Sequence, residues 1–394
     1  MSQTFRFSLV AALAFQQLAS ACSICDPAFQ KRFTLRQELA QSSLVVLGNL
    51  TDPRLIGENG QTDIRVRAIV KAPANFKAPE LLTIPRYLPS DPKKPLPCLA
   101  FGEVGPKKTD LYRVMPLRGD RMADYLAEVA RLPERDASKR LLFYFARLDH
   151  ADPDVSADAF LEFAKATDGE VAEVAARLDP VRLRRMFADP ETAEDRLNLY
   201  AFLLGACGNR DDIRTIRNHL DRPEPRFRSA VGGLCGAWIQ LEPAAAWAWI
   251  GGKLADPEVS FSERLNLLAT VRFFRAWKPE TYKVEILKAM SGLILDGNMA
   301  DLAIEDLRRW QWWDLTDSIL EQHDRKTHAA PIVRKSIVRY ALCCPRKNAV
   351  EFVKLFRQID PTTAEEVQEG IDLERADSYP AKPTAPAILP KGYR

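Results

Sequence analysis

The chain is poor in histidine, in cysteine and in long apolar runs, and each shortage removes a class of function. Four histidines, His150, His219, His323 and His328, leave little material for a clustered His site or a Ser-His-Asp triad. Seven cysteines, at positions 22, 25, 98, 207, 235, 343 and 344, are too few for a disulfide scaffold and repeat no metal-ligand spacing, which argues against zinc. No apolar stretch approaches the roughly 20 residues of a membrane-spanning helix. Neither charge dominates: 56 Lys plus Arg stand against 53 Asp plus Glu, interspersed along the chain, for a net charge of +3. A nucleic-acid interface needs a basic face or stripe, so no nucleic-acid partner is expected. GxxxxGK[ST], GxGxxG after a strand, GxSxG and HExxH are all missing, and no catalytic residue, cofactor or metal is assigned. The balance leans away from an enzyme.

What is present begins with a leader. Met1 to Arg6 carries one positive charge, "FSLVAALAF" is largely apolar, and "ASA" follows, the layout of a secretory signal peptide over residues 1–21. Cleavage between Ala21 and Cys22 makes Cys22 the first mature residue. "ASAC" also resembles a bacterial lipobox, with Ala19 where Leu is usual, so lipidation of Cys22 and a membrane anchor stand as the alternative to soluble release. Either way the expected location is periplasmic or extracellular. In "CSICD", haem attachment would need His where Asp26 stands, and no βαβ unit surrounds the pair. Structural disulfide pairing among Cys22, Cys25 and Cys98 is the expected use.

Residues 22–118 read as a β-rich module. One short helix is expected in "DPAFQKRFTLRQELAQSS", with Phe29 and Phe33, and Leu35 and Leu39, at i,i+4 spacing. Five strands follow: "SLVVLGNL", "TDIRVRAIV", "ELLTIPRYL", "CLAFGEV" and "TDLYRVMPL". Short strands at this spacing suit a small closed barrel of the oligonucleotide/oligosaccharide-binding (OB) type. The leading Cys22, Cys25 three residues on, "SSLVVLGNL", a second strand ending in Lys71 and "CLAFGEV" together resemble a netrin-like module, the fold of the tissue inhibitors of metalloproteinases. That resemblance implies a zinc-chelating role for the α-amine and carbonyl of Cys22 against an extracytoplasmic metalloprotease.

Beyond residue 118 the strand pattern stops. Residues 119–150 supply connecting helices, with "KRLLFYFARLDH" as the joint. From 151 to 375 a punctuation recurs at Asp152-Pro153, Asp189-Pro190, Arg222-Pro223, Asp256-Pro257, Asp296-Gly297 and Ala330-Pro331, with a period of 33 to 40 residues. Long amphipathic helices follow these marks and shorter ones precede several, and the Asp is often placed to cap the next helix. The pattern resembles HEAT-type or armadillo-type repeats, which stack into an all-α solenoid. "ADAFLEFAKATD", "DLAIEDLRRWQWWDL" and "IVRYALCCP" resemble a group of exported bacterial proteins that carry no assigned activity. Residues 376–394 hold four prolines and read as an extended tail.

All seven tryptophans lie between 238 and 313, and Trp310, Trp312 and Trp313 are the candidate binding surface, for sugar among other ligands. Helical spacing puts Trp310 and Trp313 on one face with Leu307, where packing is the competing role. "LDHADPD", with Asp149, His150, Asp152 and Asp154, and "EQHDRKTH", with Glu321, His323, Asp324 and His328, are helix-turn clusters in which capping is expected over metal binding. The leading reading is an exported, non-catalytic protein-binding or scaffold protein whose partner is another protein. A netrin-like protease inhibitor and a carbohydrate-binding or enzymatic role of the Trp-rich repeats are the alternatives.

Overall fold

In the computed structural model, residues 32–377 are described, except 57–58, 78, 92, 106–108, 120 and 223. The expected leader at 1–21, Cys22, Cys25 and the chain from residue 378 on lie outside the described residues. Seventeen helices and one five-stranded antiparallel sheet make up the described chain, which divides into two compact units, the first ending at Leu241 and the second starting at Glu242.

The first unit opens with α1 (Leu35–Gln41), closed at its N-terminus by a capping box in which Thr34 Oγ1 accepts the Gln37 N–H and Gln37 reaches back to the Thr34 N–H. The strands follow: β1 (Leu44–Ile56), β2 (Asn59–Lys71), β3 (Leu81–Ile84), β4 (Leu96–Val104) and β5 (Thr109–Pro116). Alternation directs Leu44, Val46, Leu50, Ile64, Leu82, Ile84, Cys98 and Ala100 into one buried cluster. The order β3-β2-β1-β4-β5 corrects the closed barrel: closure would join the two edge strands, yet β3 and β5 stand at opposite edges, with no pairing between them among the described residues. Three register shifts interrupt the pairing of β1 with β2. At one of them Gly48 is required, because a Cβ there would meet Ile64 Cγ2 at 2.5 Å and the Arg65 carbonyl oxygen at 2.7 Å. At another, Asp52 takes φ +48°, a left-handed conformation that Asp tolerates better than most residues.

The unit continues with α2 (Met122–Val129), α3 (Ala137–Phe145), α4 (Pro153–Ala164), α5 (Asp168–Ala175), α6 (Pro180–Ala188), α7 (Glu194–Cys207), α8 (Arg210–Asp221) and, after a 3₁₀ turn, α9 (Val231–Leu241). Helix α7 packs on α6 and on α9. The second unit holds α10 (Pro243–Ala255), α11 (Phe261–Trp277), α12 (Pro279–Ile294), α13 (Ala300–Trp310), α14 (Thr316–Leu320), α15 (Pro331–Cys343), α16 (Lys347–Ile359) and α17 (Pro361–Asp377). Here α12 packs on α10 and α11, and α15 on α13, α16 and α17, so helices meet their next-but-one neighbours as well as adjacent ones. Ala376 and Asp377, assigned to the tail by composition, still belong to α17.

The recurrent Asp marks have one local geometry. The carboxylates of Asp152, Asp189, Asp256 and Asp296 each accept the N–H two residues on, at 2.9 to 3.1 Å, the Asx turn. Only Asp152 is itself the N-cap of the following long helix; α7 and α11 start later, after Ala193 and Ser260.

Candidate functional site

Helix α4 carries polar groups on a buried surface. Its sequence places Val155, Asp158 and Glu162 at i, i+3 and i+7, on one side, and both carboxylates are only 6% exposed. Asp158 Oδ1 accepts the Leu35 N–H at 2.7 Å and Oδ2 accepts the Tyr125 hydroxyl at 2.6 Å. Glu162 accepts Nε and Nη2 of Arg36 at 3.2 and 3.3 Å, and Lys165 Nζ, just past the helix, donates to the Arg32 carbonyl at 2.7 Å. At the other end of α4, Asp154 accepts the Arg118 N–H at 2.6 Å and Asp152 the Arg121 N–H at 3.1 Å. One helix therefore grips the chain just before β1 and just after β5. The far side of α1 is tied to the sheet: Glu38 pairs with Arg113 of β5, and Lys71 Nζ of β2 donates to the Leu39 carbonyl at 2.6 Å. Burial pushes the Asp158 carboxyl up to about 7, against the hydrogen bonds from Leu35 and Tyr125, which favour its ionised form.

The second unit has a groove of about 560 Å³ along α13, α15 and α17. Apolar Leu302, Ile332 and Val367 line it beside ion pairs: Arg309 to Glu305 at 3.2 Å and Lys335 to Glu366 at 2.7 Å. Glu305 is shared further with Arg308 at 2.6 Å, which also holds Glu374 at 2.8 Å. Burial alone would raise the Glu305 carboxyl, but the guanidinium groups of Arg308, Arg309 and Arg339 outweigh it and hold Glu305 below the usual carboxylate range.

The tryptophans expected to form a surface sit differently from their sequence reading. Gln311 takes φ +57°, and the N–H groups of Gln311 and Trp312 close back on the Arg308 and Leu307 carbonyls, so α13 stops at Trp310. Trp313 consequently leaves the face shared by Leu307 and Trp310 and packs edge-on against Tyr340, 5.0 Å between centroids. Trp312 turns onto Trp310 at 5.5 Å. The Arg275 guanidinium lies 5.4 Å from the Trp310 ring centroid and 5.9 Å from that of Trp312, and Lys283 stands 5.5 Å from the latter. All three indoles are half-buried, and two are engaged by the protein's own cations.

The histidine clusters are taken up locally. His150 Nδ1 accepts the Asp152 N–H at 2.9 Å, Asp149 pairs with Arg182 and with Arg185, and Asp154 pairs with Arg118. His328 is buried, its Nε2 2.8 Å from the Ile294 carbonyl, while His323 and Asp324 bond to each other at 2.8 Å. Among the described residues no three His, Cys, Asp or Glu side chains are placed to hold a metal ion. Cys98 is a buried free thiol facing the sheet core, raised to about 12 by burial, and its expected partners Cys22 and Cys25 lie outside the described residues. No described helix is long and apolar enough to cross a membrane.

Sequence reasoning missed the α4 grip. The signal was there in "DAFLEFA": two carboxylates one turn apart within a helix whose other residues are nearly all apolar. Comparison with protein-family models, curated proteins and solved structures finds no match.

Proposed function

We propose that the chain is an exported, non-catalytic scaffold whose HEAT-like helical hairpins bind another protein, with the groove along α13, α15 and α17 as the docking surface. The groove carries the reading. It combines an apolar lining with ion pairs that stay in contact with water, and such pairs exchange partners at little cost. Ile332, 66% exposed, is an apolar contact open to a partner. The leader at 1–21 supports export, with Cys22 as the mature N-terminus, released or lipidated.

The test is site-specific photocrosslinking in the cells that make the full-length protein. A photoreactive residue at Ile332 should give a discrete adduct, and one at Val284, exposed on α12, should not. Combining the Ile332 probe with Lys335→Glu and Arg309→Glu should diminish the adduct. Equal labelling from both positions, or an adduct indifferent to charge reversal, overturns the reading.

A further inference from the structure

Asp158 and Glu162 stand one turn apart inside the first unit, both 6% exposed, and Arg36 of α1 pairs with Glu162 and lies within reach of Asp158. Glu162 is held by Nε and Nη2 of Arg36 and also feels Lys165, whereas Asp158 is hydrogen-bonded by two neutral donors, the Leu35 N–H and the Tyr125 hydroxyl. The groups facing Asp158 are few. From α1 come the Leu35 N–H and Arg36, from α2 the Tyr125 hydroxyl, and from α3 Tyr144; on α4 itself there is Glu162, with Lys165 at the solvent-exposed edge on the Arg32 carbonyl. Burial raises both phenols, so each stays a neutral proton donor and supplies no compensating charge.

We propose that Asp158 is a proton-operated latch on α1: protonated, it sits uncharged in its buried site and holds Arg32–Gln41 docked along α4; ionised, it favours release of that segment into water. The proton comes from solvent and enters no other chemistry. In the protonated carboxyl the unprotonated oxygen still accepts the Leu35 N–H, so the dock survives neutralisation. Opening hydrates the carboxyl and returns it towards its ordinary value of 3.8, whereas the docked carboxyl sits near 7. The docked state thus binds the extra proton, and docking is strongest in acid and weakens as pH rises towards 7.

Hydrogen exchange on the full-length protein tests this without any partner, so its outcome is independent of the docking groove. After correction for intrinsic rates, exchange of the Leu35–Gln41 amides should accelerate by up to about tenfold per pH unit between pH 5 and pH 7 and level off above, while α7 amides stay constant. Asp158→Asn, a neutral mimic, should make the profile flat. Tyr125→Phe removes a donor to the ionised form and should shift the levelling-off to higher pH. A flat wild-type profile, a pH dependence that persists in Asp158→Asn, or a Tyr125→Phe transition that stays in place or moves down would overturn the latch.

Discussion

On α4, Asp158 and Glu162 are 6% exposed and are committed to particular groups of α1 and α2, whereas in the groove Lys335 and Glu366 pair with about half of each side chain in water, 49% and 56% exposed. The groove's Glu305 is shared among several arginines, and Arg308 keeps a second carboxylate in Glu374. Both places set carboxylates against cations. Burial with one set of partners makes a joint, because losing any partner strands a polar group away from water. Exposure makes Lys335 and Glu366 part of a face that can rearrange, because water replaces whatever is lost.

The comparison breaks first, if it breaks at all, at Asp158→Ala. That change leaves the Leu35 N–H and the Tyr125 hydroxyl without their acceptor, and a loss of about 2–4 kcal/mol is expected in urea unfolding. Lys335→Ala on the exposed face should stay within about 0.5 kcal/mol; a cost like that of Asp158→Ala would erase the distinction.

Acid should act on the two regions with opposite signs. The Glu305 carboxyl lies below its ordinary value of 4.5 in the fold, so its contribution is present above pH 4.5 and lost as pH falls below it. Exchange of α13 and α15 amides should therefore quicken below about that pH. Acidification from pH 7 should slow exchange in α1 over its own range. Parallel responses would show that both sets of carboxylates are tuned alike.

A smaller effect sharpens the second region alone. Gln311 occupies a left-handed position that glycine adopts without a Cβ penalty, so Gln311→Gly should stabilise the second unit by about 0.5–1 kcal/mol in thermal unfolding. It should leave the edge-on packing of Trp312 on Trp310 in place, readable in near-ultraviolet circular dichroism.

Much of the fold was legible because local patterns dominate it. All five strands were expected close to where they lie, and α11 covers the whole of "FSERLNLLATVRFFRAW". Barrel closure was not legible, since it depends on whether two strands distant in sequence meet, and β3 with only four residues ends at a sheet edge. The end of α13 was misread because a non-glycine residue takes the left-handed position, which periodicity does not announce. The α4 joint escaped for a related reason: charge within a helix reads as its solvent side, and although the apolar company of Asp158 and Glu162 hints otherwise, which elements they face is given by the packing of α1 and α2. The candidate groove was visible only as amphipathic helices, since which of them lie side by side is a tertiary fact.

The grip of α4 on α1 also has a mechanical side. A pull on the chain ahead of Arg32 reaches Lys165, Glu162 and Asp158 before it reaches β1, so three side chains of α4 and its C-cap resist it before any ladder of the sheet is loaded. The joint is thus a strain relief: tension from upstream is spread along α4, and the strands keep their register.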